Sequence, residues 1–160
     1  MQVNPDPKRL LIVAHAPSPN TLRLREAVAR GASTFASATL EVVVKPPLEA
    51  GPRDVLAAHA VILGTPENLG YMSGALKDFF DRIYYPCLER TQGLRYALYI
   101  RAGQSVGAAS RRAVEGVVTG LRWRAAQEPV ICCGQFSEEF IQRCAELGQA
   151  MAAGLDAGIF

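Results

Sequence analysis

Three stretches of this 160-residue chain set polar or charged side chains among glycines and prolines, directly after runs that must be buried. The first is Ala16-Pro-Ser-Pro-Asn-Thr21. Ser18, Asn20 and Thr21 bring two hydroxyls and an amide to a helix start, where free backbone N–H groups, that of Leu22 among them, and the helix dipole favour an anion. A plain proline turn with Asn20 or Thr21 as helix N-cap uses the same residues, and this stretch alone does not separate the two. The second comprises Pro66, Glu67, Asn68, Leu69, Gly70 and Tyr71, inside a run from Gly64 to Gly74 that reads as irregular for about ten residues. Loops of that length inside a domain are more often functional than accidental. The third, Arg101, Ala102, Gly103, Gln104 and Ser105, joins one cation to a small-residue turn.

Several chemistries are not supported. There is no G-x-x-x-x-G-K-[ST], so nucleoside triphosphate hydrolysis has no cradle. Lys77 with Asp81, and Asp78 with Arg82, are four apart and suit ion pairs on a solvated helix face better than paired catalytic carboxylates. His15 stands alone at a strand end, where a satisfied structural role is the ordinary reading. Glu67, the one carboxylate in its loop, is expected to be structural or solvent-facing. Cys87, Cys132, Cys133 and Cys144 have no C-x-x-C spacing and are read as small buried hydrophobes. A net charge of +2 is too small to imply a nucleic-acid partner. No apolar run approaches a membrane span, and the opening M-Q-V-N-P-D-P-K-R is neither a signal nor a transit sequence, which gives the expectation of a cytoplasmic protein.

The elements that must position these stretches alternate. Arg9–Ala16, Thr39–Val44, Ala60–Leu63, Leu94–Ile100 and Val130–Cys133 are short apolar or alternating runs that read as strands. Between and after them come helical patterns. Leu24, Ala27, Val28 and Gly31 share one face of the first helix, and Asp54–His59 makes a short second one. Ser73 caps a third with the stripe Leu76, Phe79, Phe80, Ile83, Tyr84, Cys87 and Leu88. Val106, Val114, Val117, Val118 and Leu121 mark the fourth, and Ser137 caps a fifth carrying Phe140, Cys144, Leu147 and Met151. Five strands alternating with five helices predict a parallel sheet covered on both faces, in one domain spanning residues 1–160. Open sheets of that kind bind ligands beyond the carboxyl ends of their strands.

The stretch G-T-P-E-N-L-G-Y-M-S-G-A-L-K-D-F-F-D-R resembles the loop and helix of the flavodoxin-like FMN reductases and quinone reductases. That resemblance implies a flavodoxin-like three-layer sandwich with a five-stranded sheet in the order 2-1-3-4-5. It also implies FMN as cofactor and NAD(P)H as electron donor, a quinone or similar small molecule as acceptor, and room for a homo-oligomer, dimer or tetramer. Carried over to this chain, Ser18, Asn20, Thr21 and Leu22 would hold the phosphate, and the backbone from Pro66 to Tyr71 would hold the ring. Ala102, Gly103 and Gln104 would meet its pyrimidine end, where an Arg101 guanidinium near N1 and O2 would favour the reduced, anionic ring. Tyr71 either stacks on the ring or packs under its loop. Two departures stand out: Pro19 replaces the usual glycine of the phosphate loop, and Asn68 replaces a common aromatic.

The same fold also serves electron carriers, which are binding modules, not enzymes. Such carriers are usually strongly acidic and cover the flavin with aromatic side chains. This chain is mildly basic, and Lys45-Pro-Pro-Leu-Glu-Ala-Gly51 contains no aromatic residue, so the expectation leans towards an oxidoreductase. A receiver domain would need an acidic cluster, an acceptor Asp and a Lys in loops that lack them.

Overall fold

The computed structural model describes residues 6–160. In chain order the elements are β1 (Lys8–Ala14), α1 (Pro19–Ser33), β2 (Leu40–Lys45), α2 (Pro52–Ala57), β3 (Ala60–Asn68) and β4 (Tyr71–Met72). They continue with α3 (Gly74–Leu88), β5 (Arg95–Ala102), α4 (Ala108–Gly120), β6 (Arg124–Ala125), β7 (Val130–Cys133) and α5 (Glu138–Asp156).

Unbroken apolar runs in β1, β3 and β5 fit a sheet with no wet face. Side chains alternate between two cores. Leu11, Val13, Val61, Leu63, Leu98 and Ile100 face α2, α3 and α4, while Leu10, Ile12, Ile62, Ala97 and Tyr99 face α1 and α5. Helices α1 and α5 cross closely because Gly31 lies against the Ala145 backbone and Gly148 against the Val28 and Ala32 backbone, where a Cβ would collide. Parallel strands run β2-β1-β3-β5, and β6 and β7 both pair with β5, so the sheet has the expected 2-1-3-4-5 order. Its fifth place is shared: Arg124 and Ala125 pair with the start of β5, the chain leaves at Gln127–Pro129, and β7 rejoins beside Tyr99–Ala102.

Two strands run further than the sequence suggests. β5 continues through Arg101 and Ala102, and β3 continues through Asn68, where a two-residue turn reverses it into β4. The expected ten-residue irregular loop is therefore mostly a hairpin. All the parallel strands point one way, so the segments after β1, β3 and β5 gather at one sheet edge. The chain reverses direction between β1 and β3, since α1 leads to β2 on one side of β1 and α2 leads across to β3 on the other. That is the position at which open sheets form a ligand crevice.

Candidate functional site

The first segment closes on itself. Ser18, not Asn20 or Thr21, is the N-cap of α1, and Pro19 occupies the first helical position, where a missing N–H and a fixed φ are tolerated. Ser18 Oγ accepts from Thr21 N–H at 3.2 Å, and Thr21 Oγ1 accepts from Ser18 N–H at 2.9 Å, forming a capping box. Thr21 is buried and its hydroxyl donates within this cap, to Ser18 O at 3.1 Å. Leu22 N–H makes the first helical bond to Ser18 O at 2.9 Å, so it is not a free donor and does not replace the one lost at Pro19. Ser18 Oγ also lies 2.8 Å from Thr21 Oγ1, to which its hydroxyl donates while Thr21 donates to Ser18 O. What remains for an anion is the exposed Asn20 amide and its backbone N–H, which has no partner among the described residues, joined by the Ser18 hydroxyl once it turns from Thr21.

The second segment is built more tightly than a loop. Glu67 pairs with Met72 and Asn68 with Tyr71, leaving Leu69 and Gly70 as the turn at φ of 52° and 71°. Two positive φ values in a two-residue hairpin define a type I′ turn, which suits glycine at the second place and disfavours leucine at the first. Leu69 nevertheless stands there, fully exposed, with Tyr71 partly exposed beside it. At the hairpin's base Thr65 Oγ1 accepts from Ser73 N–H at 2.9 Å and donates to Pro66 O at 2.8 Å. Ser73 in turn caps α3 by accepting from Leu76 N–H at 3.3 Å, so hairpin and helix start share one bonded frame.

The third segment corrects the expected direction of Arg101. As part of β5, Arg101 follows the parity of Ala97 and Tyr99 and points towards α5. Its guanidinium donates to Ala102 O at 2.5 Å and Cys132 O at 2.9 Å, and lies 5.7 Å and 5.6 Å from the ring centres of Phe136 and Phe140. Ala102 is fully buried, whereas Gly103 and Gln104 are exposed. Glu67, with the parity of Leu63 and Thr65, points the other way. It accepts from the Ser105 hydroxyl, from Ser110 N–H at 3.1 Å and from Ser110 Oγ at 2.6 Å. Partial burial pushes its carboxyl up, but these three donors outweigh that and hold it below the ordinary glutamate range. Ser110 thus belongs to the frame with Thr65 and Ser105, although no motif marks it. A serine in the first turn of a predicted helix was the one available signal for Ser110.

Beneath the first segment lie two buried polar atoms without partners among the described residues, His15 Nδ1 and Tyr99 Oη. His15 N–H donates to Gly64 O at 3.0 Å, and Gly64 lies beside Tyr99 in the sheet, where a Cβ would collide with the tyrosine ring. Burial, then the positive charge of Arg25, lowers the His15 pKa, so its imidazole is neutral at pH 7 and adds no cation. Arg25 itself donates to Ala14 O at 3.4 Å. Three of the four free cysteines are buried, as expected, and Cys133 is exposed. Concave hollows of about 440 Å³ (Arg95, Ala126, Phe160) and 550 Å³ (Arg9, Glu41, His59) lie near the amino ends of the strands, away from the three segments. At the switch-point edge, a Cβ placed on Gly70 or Gly103 would meet nothing. A flat ligand could therefore approach both backbones.

Sheet order, helices on both faces and three prepared segments at the β1/β3 reversal define a flavodoxin-like α/β protein. Residues 18–135 match the family described as NADPH-dependent FMN reductase, and the chain belongs to that family. A flavodoxin from Aquifex aeolicus is 35% identical over 75 residues, which span 47% of this chain and 40% of that protein. Among solved structures, an archaeal flavodoxin superposes with a TM-score of 0.77 at 17% identity, covering 92% of this chain and 98% of that one. The rubredoxin oxygen:oxidoreductase of Desulfovibrio gigas superposes at 0.76 and 14% identity, covering 96% of this chain but 38% of its own. These structural likenesses are of fold. Among the described residues no helix is long and apolar enough to cross a membrane.

Proposed function

We propose that this chain binds FMN across the three segments and acts as a cytoplasmic NAD(P)H-dependent oxidoreductase, passing two electrons to a quinone or similar small acceptor. The observation that carries the enzymatic reading is the course of the segment after β2. Arg82 on α3 donates to Ala50 O and Pro47 O, both at 2.7 Å, and pins that segment down with only Leu48 and Glu49 turned outward. It presents no aromatic side chain to cover a ring, so a second flat molecule has room to stack.

The donor set fits FMN. Ser18 O–H and the Asn20 N–H and amide would hold the phosphate at the start of α1. No Lys or Arg stands between Pro17 and Leu22, so neutral donors and the helix dipole would meet its charge. The hairpin backbone from Pro66 to Tyr71 would hold the ring, with Gly103 and Gln104 at its pyrimidine end. When bound, FMN supplies the electron transfer, and the chain binds, orients and leaves one face accessible.

A second reading, an electron carrier without NAD(P)H activity, is favoured by charge. Arg101 turns away towards α5, and the nearest fixed charge between the second and third segments is the Glu67 carboxylate. A negative charge disfavours a fully reduced, anionic ring. Anaerobic addition of NADH or NADPH to the FMN-loaded protein separates the two. Bleaching of the flavin band within seconds supports the enzyme, and a band that persists until an external reductase is added supports the carrier.

A further inference from the structure

Helix α4 begins without a cap of its own. Its N-cap, Gly107, has φ 75° and no side chain, and a Cβ there would run into Ile131 Cγ2. A serine, threonine or aspartate, which would normally satisfy the first N–H groups, is therefore shut out by backbone conformation and by packing. The Ser110 N–H, three places into the helix, bonds instead to Glu67, a residue 43 positions earlier on a different strand. The same carboxylate takes the buried Ser110 hydroxyl and the Ser105 hydroxyl, so all three donors come from one turn and the loop before it. A carboxylate at a helix start is further favoured by the dipole.

We infer that Glu67 is a positioning residue: it caps α4 from outside and locks the Gly103–Gly107 loop to the β3–β4 hairpin, making one rigid wall of two of the site's three segments. The placement of that wall against a flavin ring rests on the FMN reading above. The capping role does not. Both strand parities agree with it, since Glu67 leaves β3 on the α4 side while Arg101 leaves β5 on the α5 side. No other hydrogen bond joins the exposed loop residues Gly103, Gln104 and Ser105 to the hairpin among the described residues.

Substitution separates geometry from charge. In Glu67→Gln, the amide oxygen can accept both Ser110 bonds while its NH2 donates to Ser105 Oγ, so the lock is kept and the charge is lost. Glu67→Ala loses both. The experiment is amide hydrogen exchange across residues 103–112 of the purified protein, alongside titration with FMN and melting curves for each variant. Expected is faster exchange at Ser110 and its neighbours in Glu67→Ala by about tenfold or more, with an FMN dissociation constant raised by a similar factor. Glu67→Gln stays within about threefold of wild type in both. Ser110→Ala, which keeps the backbone bond, falls between. Unchanged exchange in Glu67→Ala, or exchange in Glu67→Gln as fast as in Glu67→Ala, overturns the lock. Faster exchange with unaltered FMN affinity overturns its part in the site. A wild-type protein that takes up no FMN removes the preceding reading, and the exchange comparison then still decides the role of Glu67.

Discussion

Arg101→Ala divides a structural arginine from a flavin-tuning one. In the folded chain its guanidinium bonds to two backbone carbonyls, Ala102 O and Cys132 O, and sits over two rings, Phe136 and Phe140. The residue is only partly buried, so each charged hydrogen bond is taken at the lower end, about 1 kcal/mol, and each cation–ring contact at about 0.5 kcal/mol. The sum is a loss of about 3 kcal/mol, concentrated where β7 and the start of α5 meet β5. With a urea dependence of about 2 kcal/mol per molar, the unfolding midpoint falls by about 1.5 M with an unchanged slope. The potential of bound FMN moves little, by less than about 30 mV, because the charge is engaged on the α5 side. Urea denaturation and a redox titration of the same preparation read both quantities. A potential lowered by well over 30 mV with an unaltered unfolding midpoint would refute the reasoning and return Arg101 to the ring.

Leu69→Asn relieves the positive φ of the hairpin turn and removes an exposed apolar side chain; stability is expected to rise by about 0.5–1 kcal/mol in thermal melts. A fall would mean that Leu69 has a packing role in the free protein. Tyr99→Phe removes a buried hydroxyl with no partner among the described residues and is expected to stabilise the fold by about 1 kcal/mol, whereas a loss of that size would reveal a hydrogen-bonded water beside it. Asp54 gives an acid signature. Burial alone would raise its pKa, but Lys45 at 2.8 Å and the Gly51 N–H at 2.9 Å more than reverse this and hold it low in the folded chain. Its contribution is therefore complete above the unfolded value of about 3.9 and is lost as pH falls through the lower folded value. Asp54→Asn should flatten the stability profile below about pH 4 and leave its shape at neutral pH unchanged.

The parts of this fold legible in the sequence are those set by burial and local capping. Ser73 and Ser137 cap their helices, the stripe from Leu76 to Cys87 is buried, and Lys77–Asp81 and Asp78–Arg82 pair at 2.6 Å and 2.7 Å. The hairpin was hidden because its turn reads Leu-Gly instead of Asn-Gly, and because Pro66 looks like a strand breaker although it lies in register with Arg101 near the strand end. Reading β5 as ending at Ile100 concealed the direction of Arg101, which strand parity would otherwise give. The Glu67 contacts are with residues 38 and 43 positions away. Only the fold brings β3 and α4 together there, and no local pattern could announce it. At the start of α1 the sequence points to Asn20 or Thr21 as the cap, and the structure places it at Ser18 because Pro19 fits the first helical position.

The central claim, a flavin site whose phosphate end is the start of α1, is tested most directly by titrating the flavin-free protein with FMN and with riboflavin under identical conditions. The ring and ribityl chain are common to both ligands, so the difference isolates the donors at Ser18 and Asn20. Two charge-assisted bonds lying at an exposed helix start predict FMN binding at least about tenfold tighter than riboflavin. The preference should shrink in Ser18→Ala and Asn20→Gly. Equal affinity for the two flavins, or a visible spectrum that neither one changes, would contradict the account.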